Sequence, residues 1–397
     1  MDSQTVIQRE KEYLVQNYGR PDFVIERGEG MVLYDADGKA YQDWVAGIAV
    51  NALGYGDEGI AATFIDTLKK GVLHTSNLYH TEAHTLLAQQ LVEKSFADRV
   101  LFCNSGAEAN EGAIKLARKY QYDQGKTGKT QIVSFSGAFH GRLMGSLALT
   151  PKEKYQGPFR PLMPDVVVGT FNDIETAKQI INERTAAVFV EPIQGEGGIH
   201  LASAEFLRAL RKLCDEYDAC LVFDEIQCGV GRTGKLWAHE WAGIYPDMMT
   251  IAKLLEAGLP IGAILCKQKV ADCIHPGDHG STFAGGPMVT GVANYVLGRI
   301  SEPAFLAHVE EVGDYLKERL EEIHSPVIVA IRGQGLMCAI ELNIEAQKVV
   351  AAGFEAGLLL VNAGVNVIRL VPPLIVEKAD VDLLIERLTG LLEQVNG

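Results

Sequence analysis

In the segment A-C-L-V-F-D-E-I-Q, residues Ala219 to Gln227, an apolar run of strand length ends at Asp224. A second apolar run, Met248 to Ala252, ends at Lys253 in the same way. Runs that are apolar at every position are typical of strands buried on both faces of a parallel sheet. Two such strands would bring an acid and an amine to the same edge of that sheet.

Similar apolar runs recur on both sides of this stretch, and helical patterns separate several of them. Helices are expected from about Glu108 to Tyr122 and from Ser203 to Tyr217, with Ser203 as an N-cap. This alternation predicts an α/β fold with a mostly parallel sheet covered on both faces. The remaining strands are expected at Arg99–Cys103, Gln131–Phe135, Val166–Gly169, Ala186–Glu191 and Gly262–Cys266.

The two ends of the chain lack this alternation and predict a smaller α+β domain. The N-terminal segment holds a short helix and a hairpin that turns at Asp37-Gly38. We expect this segment, residues 1–49, to pack with residues 288–397, beside a large domain of residues 50–287. The C-terminal part is expected to contain strands near Val327–Ile331, Met337–Leu342 and Asn366–Leu370, and a terminal helix from Ala379.

Composition excludes several classes of function. The 397 residues include 36 Lys plus Arg against 51 Asp plus Glu, a net charge of −15 without a basic run, which argues against nucleic-acid binding. Apolar runs of strand length predict no membrane span, and a polar N-terminus predicts no secretory signal. Seven cysteines without a C-x-x-C pair suit reduced thiols, so we expect a cytoplasmic protein.

Ligands of open α/β sheets bind at the carboxyl ends of the strands. The residues predicted at those ends offer several different chemical groups. Ser105 to Ala107 opens a helix and offers backbone N–H groups to a phosphate, and Phe139 offers an aromatic face. Asp224 and Lys253 add an acid and an amine. Each has an ordinary structural explanation alone: a tight turn, a core aromatic, an N-cap or a solvated lysine. Pyridoxal 5'-phosphate needs all four groups, so their combination indicates that cofactor.

Two nucleotide-binding patterns and one histidine pair are set aside. Gly229 to Gly234 fits G-x-G-x-x-G, but it does not directly connect a strand to a helix. The same stretch nearly fits a P-loop, but Leu236 stands where a hydroxyl residue must hold magnesium. His80 and His84 are four residues apart without the H-E-x-x-H pattern, so we expect no metal site.

The residues around Lys253 resemble the signature of class III pyridoxal-phosphate-dependent aminotransferases, and the wider set resembles the acetylornithine aminotransferase family within that class. The similarity runs from about Asp22 to the last helix. It implies the fold type I of pyridoxal-phosphate-dependent transferases, with a large domain built on a mostly parallel seven-stranded sheet, and a homodimer with its site at the subunit interface. The stretches that carry it include L-V-F-D-E-I-Q-C-G-V-G-R-T-G, D-M-M-T-I-A-K, F-C-N-S-G-A-E-A-N-E, A-F-H-G-R, V-E-P-I-Q-G-E-G-G, G-L-P-I-G-A, H-G-S-T-F, N-V-I-R-L-V-P-P-L, L-H-T-S-N-L-Y and T-P-K-E-K-Y.

The resemblance implies a role for each cofactor-binding residue. Lys253 holds the cofactor as a Schiff base and moves the proton, and Asp224 keeps the pyridine nitrogen protonated. Gln227 bonds the ring hydroxyl and Phe139 stacks on one ring face. The other face is covered by Ile226 or Val222, and the phosphate is bound by Ser105, Gly106, Ala107 and Thr282 of the neighbouring subunit.

The resemblance also implies how substrates are bound. Arg142 holds the carboxylate of the ω-amine donor, Arg369 holds the α-carboxylate of glutamate, and Glu196 pairs with Arg369 when the other substrate is present. Ser281 completes the substrate-binding set. The implied reaction is a ping-pong transfer from N-acetylornithine to 2-oxoglutarate, giving N-acetylglutamate 5-semialdehyde and glutamate in arginine biosynthesis.

Several residues depart from the family pattern without removing a chemical group. Leu143 and Glu256 lie near the expected pocket, so the acyl group of the donor stays open. The alternative donors are succinylornithine, succinyl-diaminopimelate, ornithine and 4-aminobutyrate, and a pyridoxal-phosphate aminomutase or a non-catalytic binding homologue would use the same scaffold. The other departures are Tyr55, Ala257 and Gly286.

Overall fold

The fold is given by a computed structural model that describes residues 2–255 and 257–396. Glu256, one of the departures from the family pattern, therefore lies outside the described residues. The strands, in chain order, are β1 Ile25–Glu29, β2 Val32–Asp35, β3 Ala40–Asp43, β4 Arg99–Cys103, β5 Gln131–Phe135, β6 Val166–Gly169, β7 Thr185–Val190, β8 Ile193–Gln194, β9 His200–Leu201, β10 Cys220–Asp224, β11 Met248–Ile251, β12 Gly262–Cys266, β13 Ile328–Gln334, β14 Met337–Leu342, β15 Leu358–Leu359, β16 Val361–Asn362 and β17 Val367–Leu370.

The helices of five residues or more are concentrated between these strands and at the chain ends. They are α1 Ser3–Tyr13, α2 Glu58–Lys70, α3 Glu82–Glu93, α4 Gly106–Asp123, α5 Met144–Ala148, α6 Ile174–Ile180, α7 Ala204–Glu216, α8 Pro287–Ile300, α9 Pro303–Glu321, α10 Ala346–Glu355 and α11 Lys378–Asn396. Shorter helical turns are Ala46–Ala49, Glu153–Gln156, Gly157–Phe159, Ala238–Trp241, Lys253–Leu255 and Gln268–Ala271.

The central sheet has seven strands in the order β4-β12-β11-β10-β7-β5-β6. From β11 to β6 all neighbouring strands are parallel, whereas β12 is antiparallel to both of its neighbours. The predicted mostly parallel sheet is therefore confirmed. Every residue of β5, β7 and β10 is buried, which explains why these segments are mostly apolar.

Helices cover both faces of this sheet. Alternate strand residues such as Phe189 and Val222 pack with α4 on one face, and their neighbours Val190 and Phe223 pack with α7 on the other. Helix α7 begins where it was expected, because Ser203 Oγ accepts a hydrogen bond from the Phe206 N–H at 3.1 Å.

The two ends of the chain meet in one sheet. Strand β3 pairs in parallel with β15, and Trp44 N–H donates to the carbonyl of Leu359 at 3.1 Å. Trp44 and Leu358 belong to the same buried core cluster. A second sheet has the order β13-β14-β17-β16, and Arg369 on β17 donates to Gln227, a residue of the large domain predicted from the sequence. The domain bounds 1–49, 50–287 and 288–397 stay a prediction.

Two further observations concern membrane-spanning helices and the state of the cysteines. No helix among residues 2–255 and 257–396 is long and apolar enough to cross a membrane. All seven cysteines are free and buried.

Candidate active site

A cavity of about 370 Å³ lies at the carboxyl ends of the central strands. It is lined by most of the site residues predicted from the sequence, which come from four separate strand ends. Those that line it are Ser105, Gly106, Ala107, Phe139, Arg142, Asp224, Gln227 and Lys253.

Lys253 lies two residues after the end of β11 and has a backbone φ of +47°, in the left-handed region that residues other than glycine rarely adopt. Strained backbone of this kind is concentrated at functional sites, where the surrounding structure holds it. Removal of the amine from water, together with the positive charge of Arg369, lowers the pKa of Lys253 to about 8. The amine is therefore available as a nucleophile and a base near neutral pH.

Asp224 ends β10 and is held by three donors. Asn110 Nδ2 lies 2.8 Å from Asp224 Oδ2, His140 Nδ1 lies 2.7 Å from the same oxygen, and Ile226 N–H donates to Oδ1 at 3.1 Å. Asn110 also donates to the His140 carbonyl at 2.7 Å and accepts from Thr250 Oγ1 at 2.9 Å. The orientation of the carboxylate is thus fixed from both sides.

His140 is buried against Asp224. Burial alone would lower the pKa of His140, but the hydrogen bond and the charge of Asp224 outweigh it and raise the pKa above its ordinary value. The charge of Asp224 therefore favours the protonated form of the His140 ring in the interior. Neither Asn110 nor His140 was assigned a role from the sequence.

The first turn of α4 has the features of a phosphate site. Ser105 is the N-cap, and its Oγ accepts from the Glu108 N–H at 3.2 Å. Gly106 and Ala107 are the first two helical residues, whose N–H groups have no partner within a helix. A Cβ at Gly106 would lie 2.8 Å from the Ile226 side chain, so only glycine fits this close approach.

Hydrophobic side chains form part of the cavity wall. Phe139 and Ile226 both line it, whereas Val222 is fully buried in the sheet core. Of the two side chains considered for the second ring face, Ile226 alone is therefore in position among the described residues.

Glu191 is a cavity residue that the sequence reasoning did not select. Its carboxylate accepts from the Phe139 N–H at 3.1 Å and from the Gly195 N–H at 3.2 Å, so it links two loops of the site. Burial and the nearby charge of Asp224 raise the pKa of Glu191 to about 7, although His140 acts in the opposite direction. Its position directly after β7, like that of Asp224 after β10, was the available signal.

Arg369, on β17, lies behind the cavity and reaches it through Gln227. Arg369 Nη1 donates to Gln227 Oε1 at 3.0 Å and also to the carboxylate of Glu196. The charge of Arg369 keeps the pKa of Glu196 below its ordinary value in spite of burial. Because the Gln227 oxygen is taken by an obligate donor, its amide nitrogen is the group left for a ligand.

Ser281 and Thr282 line a different cavity, of about 580 Å³. Asn104 connects the two cavities, because it lines the first and its Nδ2 donates to Ser281 Oγ at 2.8 Å. Thr282 is not brought to Lys253 of its own chain. The prediction that it serves the neighbouring subunit stays a prediction.

The departures from the family pattern occupy ordinary structural positions. Leu143 is the N-cap of α5 without a capping side chain, and the Ser146 N–H donates instead to Glu111 Oε1 at 2.7 Å. Tyr55 donates from its hydroxyl to Asp43 Oδ2 at 2.6 Å, and Gly286 is the N-cap of α8.

The glycine-rich stretch from Gly229 to Gly234 is not a nucleotide loop. Its Arg232 is buried and donates from Nη1 to the carbonyls of Leu336 at 3.0 Å and Pro372 at 2.6 Å. The stretch therefore holds the C-terminal region in place. In the part of the chain that the structure describes, no group of three His, Cys, Asp or Glu side chains could hold a metal ion.

Comparisons with known proteins agree with this site. Residues 13–392 match the family described as Aminotransferase class-III. The chain is 49% identical over 387 residues to a mitochondrial acetylornithine aminotransferase of Alnus glutinosa, covering 96% of this chain and 86% of the relative. It is 44% identical to an acetylornithine aminotransferase of Methanocaldococcus jannaschii, covering 100% of both chains, and 44% identical to a succinylornithine transaminase of Yersinia pseudotuberculosis, covering 97% and 95%.

The fold agrees as well. A solved ornithine aminotransferase of Toxoplasma gondii superimposes with a TM-score of 0.95 at 28% identity, covering 100% of this chain and 95% of that one. Its structure is described as having partial occupancy of pyridoxal phosphate at the active site. The chain belongs to the class III aminotransferases and has their fold type I architecture. It is accordingly a pyridoxal-phosphate-dependent aminotransferase.

The residues of the cavity fit this cofactor. The donor set provides an amine of lowered pKa at Lys253, a fixed carboxylate at Asp224 and unpaired N–H groups at the start of α4. Ser105, Gly106 and Ala107 line the cavity, so the N–H groups of this first turn are placed where a phosphate can bind.

Proposed function

We propose that this enzyme transfers the ω-amino group of N-acetylornithine to 2-oxoglutarate, forming N-acetylglutamate 5-semialdehyde and glutamate, as a step of arginine biosynthesis. The observation that carries the proposal is the contact of Arg369 with both Glu196 and Gln227 beside the Lys253 cavity. Arg369 thus forms a carboxylate-binding site, which the carboxylate of Glu196 can occupy. The names of the relatives from Alnus glutinosa and Methanocaldococcus jannaschii support this donor.

Bound pyridoxal phosphate supplies a ring that withdraws electrons from the substrate carbon when its nitrogen is protonated. In this proposal Asp224 holds that proton at the ring nitrogen, and Asn110 and His140 keep the carboxylate in place. The backbone N–H groups of Gly106 and Ala107 bind the phosphate. Lys253 Nζ, with its lowered pKa, takes and returns the proton at the reacting carbon.

One pocket must accept two substrates of different shape. N-acetylornithine presents an ω-amine, with no carboxylate next to the reacting carbon, so Glu196 stays paired with Arg369. Glutamate carries an α-carboxylate at that point, which displaces Glu196 and binds Arg369 bidentately. Arg142 binds the distal carboxylate in both cases, since no carboxylate of the described residues lies within 4.0 Å of it and it lines the cavity.

The proposal includes a homodimer in the cytoplasm. Thr282 of the partner subunit would complete the phosphate site and Ser281 the substrate site, because in a single chain both residues line the separate cavity. Seven free, buried cysteines support a reducing compartment.

A second donor, N-succinylornithine, is favoured by one specific feature. Leu143 is 46% exposed and follows the cavity residue Arg142 in the chain, so it offers apolar surface next to Arg142 that a longer acyl chain can contact. The relative from Yersinia pseudotuberculosis carries that substrate in its name.

The experiment is a panel of single half-reactions followed by the absorbance of the bound cofactor. The holoenzyme is mixed with N-acetylornithine, N-succinylornithine, ornithine or 4-aminobutyrate, without a keto acid. We expect N-acetylornithine to react with the highest kcat/KM. A faster reaction of N-succinylornithine would establish the second donor instead, and no reaction with any ω-amine would contradict the proposal. Turnover that does not depend on added 2-oxoglutarate would indicate an aminomutase.

A further inference from the structure

Tyr155 contacts Arg142 and has no role in the function proposed above. The Arg142 guanidinium carbon lies 3.6 Å from the centroid of the Tyr155 ring and 5.6 Å from that of Phe139. Of the two aromatic rings beside the Arg142 guanidinium, Tyr155 is the nearer. The direction in which this arginine points is therefore set by an aromatic side chain.

A ring against the face of a guanidinium leaves its edge free. All five N–H groups of an arginine lie in the guanidinium plane, and two of them bind a carboxylate in parallel. Stacking on an aromatic face uses the one surface of the group that cannot donate, and it restricts an otherwise flexible side chain. At 3.6 Å the Arg142 carbon is in contact with the Tyr155 ring. The edge of Arg142 is consequently available to a ligand in the cavity.

The Tyr155 ring is itself held in place. It lies edge-on to Phe139, with 6.4 Å between centroids and 86° between planes. The helical turn Glu153–Gln156 that carries it is anchored by Gln156 Nε2, which donates to the carbonyls of Leu147 and Thr150 at 3.0 Å each. A ring held in place in this way also restricts the position of the Arg142 side chain that stacks on it.

The same turn is connected to the second carboxylate site. Lys152 Nζ donates to the Glu196 carbonyl at 2.8 Å and lies 5.7 Å from the Tyr155 centroid. Burial lowers the pKa of Lys152, so its contact with Glu196 lies in a poorly solvated place. Residues Lys152 to Tyr155 therefore connect Arg142 to the turn that contains Glu196, and they fix the spacing of the two groups.

We propose that Tyr155 is a positioning residue that orients Arg142 toward the distal carboxylate of both substrates, and that it thereby selects substrates that carry such a carboxylate. The proposal rests on the proposed function of Arg142. It adds a residue that touches no substrate but determines how strongly the substrate carboxylate is bound.

The test compares Tyr155→Leu with Tyr155→Phe in the holoenzyme. We expect Tyr155→Leu to raise the KM of N-acetylornithine and of 2-oxoglutarate about tenfold with kcat changed less than twofold, since only the stacked ring is lost. Tyr155→Phe keeps the ring and should leave both values within twofold. The half-reaction with pentylamine, which has no carboxylate, should not change in either variant. The Kd of glutarate, an unreactive dicarboxylate, measured from the absorbance of the bound cofactor, should rise with the KM values.

Two further variants separate the possible failures. Tyr122→Leu, at the other end of α4, is the control for loss of a partly exposed tyrosine. Tyr155→Gln replaces Tyr155→Leu if that variant does not fold.

If Arg142→Gln raises the KM values and neither Tyr155→Leu nor Tyr155→Gln does, the inference is wrong and the proposed function stands. If Arg142→Gln itself has no effect, the proposed function of Arg142 is wrong. A loss of kcat with pentylamine as well as with the two carboxylate-bearing substrates would show a merely structural role for Tyr155 and overturn the inference.

Discussion

Asn110 and Asp224 form a buried hydrogen bond of 2.8 Å between a helix and a strand end, and the other end of the Asn110 amide accepts from Thr250 Oγ1 at 2.9 Å. The amide cannot be reversed, because its nitrogen faces two acceptors, the Asp224 carboxylate and the His140 carbonyl, and an oxygen in its place would find no donor there. Asn110 therefore fixes the direction of the Asp224 carboxylate before any ligand is bound.

We expect Asn110→Ala to weaken cofactor binding by about 10- to 100-fold, since a hydrogen bond to a charged group contributes about 1.5–3 kcal/mol. The measurement is the dissociation constant of pyridoxal phosphate, obtained by titrating the apoenzyme and following absorbance. Thr250→Ser keeps the hydroxyl that anchors Asn110 and should bind the cofactor as the parent does. An unchanged constant for Asn110→Ala would show that Asp224 does not need this support.

The lowered pKa of Lys253 predicts how cofactor capture depends on pH. Only the neutral amine attacks an aldehyde, so the rate at which the apoenzyme binds pyridoxal phosphate should rise with pH and level off above a midpoint near pH 8. Arg369→Gln removes a positive charge that lowers this pKa and should move the midpoint upward. Stopped-flow mixing between pH 6.5 and 9.5 provides the profile. A rate that is still rising steeply at pH 9.5 in the parent enzyme would contradict the assignment.

Glu191 predicts the pH dependence of stability in the acid range. Its pKa is raised from an ordinary 4.5 to about 7, so the folded state binds this proton more tightly than the unfolded state does. The stabilisation is complete below about pH 4.5 and is lost as the pH rises through about 7. Relative to Glu191→Gln, the urea midpoint of the parent should therefore fall between pH 5 and 7.5. Glu153→Gln, which removes an exposed carboxylate paired with Arg160, is the control. Its urea midpoint should change with pH in the same way as that of the parent.

The hydrogen bond from the Ser146 N–H to Glu111, at the start of α5, predicts that two substitutions have non-additive effects on the free energy of unfolding. A threonine N-cap usually contributes about 1 kcal/mol, but here the Ser146 N–H is already bonded to Glu111. Leu143→Thr should therefore change the free energy of unfolding by less than about 0.5 kcal/mol in the parent and stabilise a Glu111→Ala variant by about 1 kcal/mol. Denaturant titration of the four proteins of this cycle measures the difference. Equal effects in both backgrounds would show that Glu111 does not act as the cap.

The sequence predicted the cofactor side of the site because strand ends are easily located. Asp224 and Lys253 follow β10 and β11, and these strands are parallel neighbours in which Asp224 lies opposite Thr250. Continuous apolar runs locate such strands, and parallel pairing then brings their carboxyl ends to one edge. No further information was needed to place the acid near the amine.

Other parts of the site have no comparable sequence signal. Asn110 lies in the second turn of α4, where an asparagine is indistinguishable from a surface residue until the packing of the helix is known. Arg369 comes from a different sheet, so only the resemblance to a family indicated it. The stacking of Tyr155 on Arg142 depends on how the turn Glu153–Gln156 packs against the segment that precedes α5. The hydrophobic periodicity of the sequence does not predict this packing.

The position of Arg369 on β17 has a consequence for the order in which the enzyme becomes competent during synthesis. The chain from Ser105 to Lys253 contains the proposed cofactor ligands of one subunit, and it leaves the ribosome more than a hundred residues before Arg369 does. Strand β17 pairs with β14 and β16, and β15 pairs with β3, so the last part made closes onto the first. A nascent chain therefore acquires its amine and its acid well before it can distinguish one carboxylate substrate from another.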